Sequence, residues 1–348
     1  MRLNFRSLTP VLFAVLLPAC HAHKPVVETK ETINAFGTLV DVTLIDVPAE
    51  RKKAILDRVN EQINYLHYAF HPWNAGPLGR TNQLLAAAAE FTGNPSVIPL
   101  IIKAQQLAHE SHDLFNPAIG NLVSLWGFHD DFPPQGPPPD AAAIAKLVKQ
   151  NPRMRDLTVK GIRIDNTNPA VRLDLNAIAK GYAVDFVIKT LKEEGVDNAL
   201  INIGGDLKVL GQHGDRPWHI GIRDPRGDDM IASTDVRGGE AMFTSSDATS
   251  YYDYQGKRYH HILDPRTGYP ASQTRSVTVI NNDGARADAA ATALFVAGPK
   301  QWASIAKDMG ISEVMLIDAQ GIIYMTPQMH RRMHLEKPVK DVRIVPLS

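Results

Sequence analysis

The sequence predicts an α+β fold, with mixed and antiparallel sheets carrying packed helices. Three observations predict it. Strand-like and helix-like segments are mixed without strict alternation, which argues against a doubly wound parallel sheet. Turn signals between short apolar runs recur, as at Lys160-Gly161, Gly204-Gly205 and Ala319-Gln320-Gly321. Neither GxGxxG nor GxxxxGK[ST] occurs, so the glycine loops of the standard nucleotide-binding α/β folds are absent.

Phe36 to Val47 alternates and is rich in Val, Leu and Thr, which predicts a strand. Ile55, Val59, Ile63 and Leu66 are spaced for one face of a helix over Ala49–Phe70. Helices are expected over 82–91 and 94–114, the second opening on Asn94-Pro95. The proline-rich stretch 133–139 reads as a stiff loop, because proline fits neither a helix interior nor a central strand. A short helix from Asp140 and a hairpin of 157–159 with 162–164 follow. A strand over 171–175 leads into a helix over 177–194. Strands are then expected over 199–203, 207–210, 218–222, 241–244, 259–263 and 276–280. Helices over 286–296 and 299–309 and a hairpin of 314–317 with 322–325 complete the chain.

The 348 residues carry 37 Lys+Arg against 37 Asp+Glu, and 44% are hydrophobic. That length supports a large core. Charge neutrality without a basic cluster excludes a nucleic-acid partner. A single cysteine excludes an intrachain disulfide and a Cys-based zinc site. Its position, residue 20, is informative. Arg2 and Arg6 precede an apolar run from Leu8 to Leu17 that is too short to span a bilayer. The run ends in Leu17-Pro18-Ala19-Cys20, which resembles a bacterial lipobox apart from Pro18. Residues 1–19 are expected to be a signal peptide, Cys20 a lipidation site, 20–30 a tether and 31–348 the folded domain. The alternative is a plain signal peptide with a coincidental cysteine. His21 rather than Asp after Cys20 resembles an outer-membrane sorting signal. The expected location is the periplasmic side of a membrane.

Four clusters combine glycine or small residues with a charged group. In 174–185, Asp174 ends a strand and Lys180 lies on the first turns of a helix, where free N–H groups attract anions. The plainer reading is a capping Asp and a surface Lys. In 199–207, a strand ends in Gly204-Gly205-Asp206, either a close backbone approach to a ligand or an ordinary turn. In 260–270, His260 and His261 precede the turn signal Asp264-Pro-Arg-Thr-Gly268. Adjacent strand residues point to opposite faces, so at most one histidine serves a given site. In 287–294, Asp288 and Thr292 stand four apart and so share a helical face. Carboxylate, hydroxyl and carbonyl oxygens suit a hard cation such as Mg²⁺; a capping Asp with a helix-buried Thr is the alternative.

In this order, with Phe36-Gly-Thr38, Phe115-Asn-Pro-Ala-Ile-Gly120 and Leu125-Trp-Gly-Phe128, the clusters resemble the ApbE family of FAD:protein FMN transferases. The resemblance runs to Gly298 and implies a T-fold-related architecture. It implies that FAD is cleaved at its pyrophosphate, FMN passing to a Ser or Thr hydroxyl as a phosphoester while AMP leaves. Mg²⁺ would be held by Asp288, Thr292 and the carbonyl of Ala177. FAD contacts would fall on Phe36, Trp73, Asn116, Pro117, Ala118, Asp174, Lys180 and Ile262. His261 is then the candidate general base, with an unperturbed pKa near 6.5, and Asp288 a second candidate. Acceptors would be flavoprotein subunits of Na⁺-translocating NADH:quinone reductase or Rnf-type complexes. Two positions depart from the family pattern, Asn176 for a frequent Gly and Asn116 for a frequent Asp. The competing functions are an FAD pyrophosphatase and a non-catalytic FAD-binding lipoprotein.

Overall fold

A computed structural model of the chain describes residues 26–129 and 134–347. Cys20, the signal segment and most of the tether lie outside the described residues, as does Pro133. β1 (Glu28–Ala35) and β2 (Thr38–Ile45) form an antiparallel hairpin. The strand expected over 36–47 is therefore its second arm, and β1 begins within the span read as tether. The turn falls on Phe36-Gly37, both at positive φ.

α1 (Ala49–Phe70) buries the face its apolar spacing defines. α2 (Pro77–Leu85), β3 (Phe91–Thr92) and α3 (Ile98–Glu110) replace the helices expected over 82–91 and 94–114. Pro77 and Pro99 occupy first turns, where the missing N–H has no helical partner to lose. Asn94 instead closes a local turn, its Oδ1 accepting from the Ser96 N–H at 3.0 Å. α4 (Gly120–Leu125) was not expected. α5 (Ala141–Gln150) is capped by Asp140, whose Oδ1 accepts from Ala142 N–H and Ala143 N–H. β4 (Leu157–Lys160) and β5 (Arg163–Asn166) form the expected hairpin. No strand forms over 171–175; the segment makes only a parallel bridge, Ile119 with Arg172.

α6 (Asn176–Glu193) is followed by β6 (Ala199–Ile203), β7 (Asp206–Leu210), β8 (Trp218–Arg223), β9 (Met230–Val236), β10 (Ala241–Ser246), β11 (Tyr251–Tyr254), β12 (Lys257–His260) and β13 (Thr274–Asn281). α7 (Gly284–Asp308) runs through both helices expected there, broken at Gly298, whose φ of 68° precedes Pro299. β14 (Glu313–Asp318), β15 (Ile323–Met325), α8 (Pro327–Arg332), β16 (His334–Leu335) and β17 (Val342–Ile344) complete the chain.

Nine strands make the central sheet in the order β1-β2-β6-β7-β10-β13-β14-β15-β17, antiparallel except for the β15–β17 pair. Period-two alternation gives it two apolar faces. Ala241, Phe243, Val277, Val279, Val314 and Leu316 join the main core with the helices. Met242, Ile280, Met315 and Ile317 point the other way, to a second core closed by β8, β9 and α8. A third, smaller core joins α4, α5 and the β11–β12 hairpin through Leu122, Trp126, Ile144 and Tyr259. The α+β architecture is thus as expected.

α6 and α7 touch backbone to backbone. A Cβ on Gly181 would lie 2.2 Å from the Gly284 carbonyl oxygen, so only glycine permits the approach. Asp185 of α6 caps the start of α7, accepting from Gly284 N–H and Ala285 N–H at 3.0 and 3.1 Å. Lys208 of β7 reaches the same carboxylate at 2.5 Å.

Candidate active site

A cavity of about 220 Å³ opens where the first turns of α6, the second turn of α7, β7, β10 and the 261–263 loop converge. Its charged floor is built from α6 and β7. Lys180 Nζ pairs with Asp206, and the other oxygen of Asp206 accepts from Thr244 N–H at 2.9 Å. Although burial favours the neutral amine, Asp206 and Asp288 hold the Lys180 ammonium above its usual pKa. Lys180 is therefore a fixed positive charge inside the cavity.

The opposite wall comes from α7. Asp283 is the cap of that helix, accepting from Arg286 N–H at 2.9 Å. Asp288 is thus not a cap, and it lines the cavity together with Thr292. Its Oδ2 accepts from Gly181 N–H at 2.9 Å. That N–H is the one an uninterrupted helix gives to the carbonyl of Ala177, where the backbone of α6 leaves helical geometry (φ −80°, ψ 15°). Burial pushes the Asp288 carboxyl up to about 7, against the pull of Lys180. A buried carboxylate so disfavoured is a ready partner for a cation. Thr292 Oγ1 shares a hydrogen bond with Ser245 Oγ at 3.1 Å.

The strand expected over 259–263 stops at His260, the last residue of β12, and the histidine pair separates because His261 lies in the loop that follows. His260 is buried, its Nε2 against the Ala271 carbonyl at 2.9 Å and its Nδ1 accepting from Ile262 N–H. His261 lines the cavity beside Ile262. Burial by the surrounding wall, with His260 and Lys180 nearby, lowers the His261 pKa from 6.5. The residue keeps an exposed surface, and with its pKa lowered the imidazole is neutral at pH 7. It can accept a proton there, but it is a weaker base than a free histidine.

Asn116, Pro117, Asp174, Ala177, Lys180, His261, Ile262, Asp288 and Thr292 meet at this cavity. Ala118, Phe36 and Trp73 do not line it. Ala118 is fully buried, its N–H bonded to Asn116 Oδ1 and its carbonyl to Arg172 N–H. Phe36 sits on the β1–β2 turn, donating its N–H to His67 Nδ1 at 3.1 Å. Trp73 packs against Arg172 and His129. The two departures have local explanations. Asn116 donates through Nδ2 to the Pro152 carbonyl at 2.9 Å, a bond an aspartate could not make. Asn176 does not adopt a positive φ, so no glycine is needed there. Asp206 and Ser245 were not expected as site residues. The Gly204-Gly205-Asp206 turn signalled the first; nothing in the local pattern of 244–246 signalled the second.

The donor set suits a hard cation. A carboxylate, a hydroxyl and a backbone carbonyl are the oxygen ligands Mg²⁺ accepts, with waters or substrate phosphates completing its shell. Among the described residues no group of three or more His, Cys, Asp or Glu side chains is placed to hold a metal.

Known proteins resemble this chain in sequence and in fold. The ApbE family model matches residues 36–316, a span that includes every cavity-lining segment. An FAD:protein FMN transferase of Rhodobacter capsulatus is 40% identical over 89% of this chain, which spans 59% of that protein's length. One from Vibrio cholerae is 29% identical over 88% of this chain and 92% of its own length. Among solved structures, the ApbE protein of Thermotoga maritima superposes with a TM-score of 0.78 at 29% identity, covering 90% of this chain and all of its own. The apo flavinyl transferase ApbE of Pseudomonas stutzeri gives 0.77 at 28% identity, covering 90% and 98%. With the match running from the β1–β2 turn into β14, the chain belongs to the ApbE family.

Proposed function

We propose that this protein is an FAD:protein FMN transferase. One observation carries the reading: four separate segments deliver Lys180, Asp206, His261, Asp288 and Thr292 to one cavity, which Ala177 also lines. Phosphoryl transfer asks for positioning and charge neutralisation rather than covalent help, and these residues supply both. Family membership and the names of the relatives support the same activity.

The acceptor's Ser or Thr oxygen attacks the flavin-side phosphorus of FAD, and the bond from that phosphorus to the bridging oxygen breaks. AMP leaves with the bridging oxygen, and the hydroxyl proton passes to His261. Lys180, held protonated by Asp206 and Asp288, faces the charge that develops on the phosphates. Asp288, Thr292 and the Ala177 carbonyl would hold Mg²⁺, which when bound neutralises pyrophosphate charge. Asp206 orients Lys180 and is itself fixed by Thr244 N–H. Gly181 N–H fixes Asp288.

The acceptors we propose are exported or membrane flavoprotein subunits, of Na⁺-translocating NADH:quinone reductase or Rnf-type complexes. The chain itself would be a lipoprotein held at a membrane through Cys20, on the periplasmic side. The lipobox-like Leu17-Pro18-Ala19-Cys20 supports this. No helix among the described residues is long and apolar enough to cross a membrane.

Chromatography of the products tests the reading. Purified protein with FAD and Mg²⁺ should release AMP only when a Ser- or Thr-containing acceptor peptide is added. Equal release of AMP and free FMN without acceptor would show an FAD pyrophosphatase. Tight FAD binding with no AMP at all would show a carrier.

A further inference from the structure

A second recess, of about 820 Å³, lies across the 246–249 and 260–264 segments from the active cavity. The two share this partition and remain separate. Ser246 and Thr249 line the cavity, while Asp247 lines the recess. His261, Ile262 and Leu263 line the cavity, while His260 and Asp264 line the recess. The recess falls within the roughly 300–1,000 Å³ of small-molecule sites.

Its lining is cationic. Arg226, Lys257, Arg258, Arg266, Arg275 and Lys300 stand there with two carboxylates, Asp247 and Asp264. Three of these cations are already engaged. Arg226 is forked onto Asp247 at 2.6 and 2.5 Å, and Arg258 pairs with Asp253 at 3.2 Å. Arg266 is held by Asp264 at 2.8 Å and by the Val296 carbonyl, just before the break of α7 at Gly298. Lys257, Arg275 and Lys300 have no carboxylate within ion-pair distance among the described residues. Lys257 lies over the Tyr259 ring, and Arg275 donates to the Ala319 carbonyl. Lys300 stands in the first turn of the helical run that restarts at Pro299, and leading N–H groups of a helix have no partner within it. Beside Arg275, Thr274 lines the recess and is only 2% exposed, and its Oγ1 has no hydrogen-bond partner among the described residues. Buried hydroxyls are matched as a rule, so this one points to a partner that the described chain does not supply.

We propose that the recess binds the phosphate group of a small phosphate-bearing anion, at a site separate from that of FAD. Lys257, Arg275 and Lys300 supply positive charge that no carboxylate balances. The Thr274 hydroxyl adds a directed hydrogen bond, and the start of the 299–308 run adds N–H groups of the kind phosphate oxygens accept from. The recess is larger than phosphate alone would fill, and Tyr259 and Tyr269 on its wall offer ring faces to an organic body. Free phosphate and an organic phosphate monoester share the recognised group. The inference does not depend on cleavage of FAD.

Isothermal titration of the full chain with inorganic phosphate, and separately with ribose 5-phosphate, tests the proposal. Each titration is run without FAD and again with FAD at saturation. One anion should bind per chain, and FAD should not displace it. Lys300→Ala, at an exposed position, should weaken binding about tenfold, the loss of one charge-assisted bond. Thr274→Val keeps the shape of the side chain, deletes the hydroxyl and should weaken binding about threefold or more. The lysine variant keeps the test intact even if the buried threonine variant folds poorly. Ribose 5-phosphate binding about tenfold tighter than phosphate assigns the site to an organic ester; equal or weaker binding assigns it to free phosphate. No binding of either probe, displacement of both by FAD, or an affinity that neither variant changes would overturn the inference.

Discussion

At Asp288 three demands meet: a buried carboxylate, a bond from Gly181 N–H, and the neighbouring charges of Lys180 and Asp206. The i, i+4 spacing to Thr292 was legible in the sequence because helical geometry alone places both side chains on one face. The role of Asp283 as the true cap, which frees Asp288 for the cavity, was legible only in three dimensions. Asp288→Ala should lower Mg²⁺-dependent transfer by about 10²-fold or more, read from initial rates across a Mg²⁺ titration. An unchanged rate would reject the metal assignment. His261→Ala should slow transfer by roughly 10²–10⁴-fold while FAD affinity holds. The pH behaviour of His261 follows from its environment. Its folded pKa lies below the unfolded 6.5, so the unfolded chain binds more protons between the two values. Stability therefore rises with pH across that window and is lost on acidification. Imidazole resonances of His261 followed by NMR should titrate below the 6.5 of an ordinary histidine; a midpoint at 6.5 or above would contradict the site as described.

The pairing of α6 with α7 is the element-scale device that makes the site. Gly181 and Gly284 let the two backbones touch, and that contact places Gly181 N–H on Asp288. Gly181→Ala would force a Cβ into the Gly284 carbonyl, which must move. Overpacking of this kind costs about 1–3 kcal/mol, and the displaced α7 should carry Asp288 off its partner. Thermal unfolding should show the lower Tm, and transfer activity should fall further than Tm predicts. An alanine variant with full activity would mean that the helix contact does not set the site. Long periodic segments such as α1 and the alternating strands β6 and β13 could be read directly, because burial on one face writes itself into the spacing. β9 and β11 could not, since Ala, Ser, Thr and Asp in one and Tyr-Tyr-Asp-Tyr in the other lack clean alternation. The 171–175 segment reads as a strand but pairs at one bridge only, because its backbone bonds go to the loop at 117–120.

For the whole molecule, the two-faced sheet explains why one side can be devoted to chemistry. The core under β8, β9 and α8 holds the sheet from behind, while the helix-covered face opens the cavity. Location belongs to this scale too. If Cys20 anchors the protein, Cys20→Ser should move it from the membrane to the soluble fraction on cell fractionation; persistent membrane association would contradict the anchor. The central claim is covalent transfer of FMN, and the mass of the acceptor reports it most directly. After incubation with FAD and Mg²⁺, tandem mass spectrometry of a Ser- or Thr-containing acceptor peptide should show one added FMN on the hydroxyl residue. It should be absent with Asp288→Ala. An acceptor of unchanged mass beside accumulating AMP and free FMN would contradict the account.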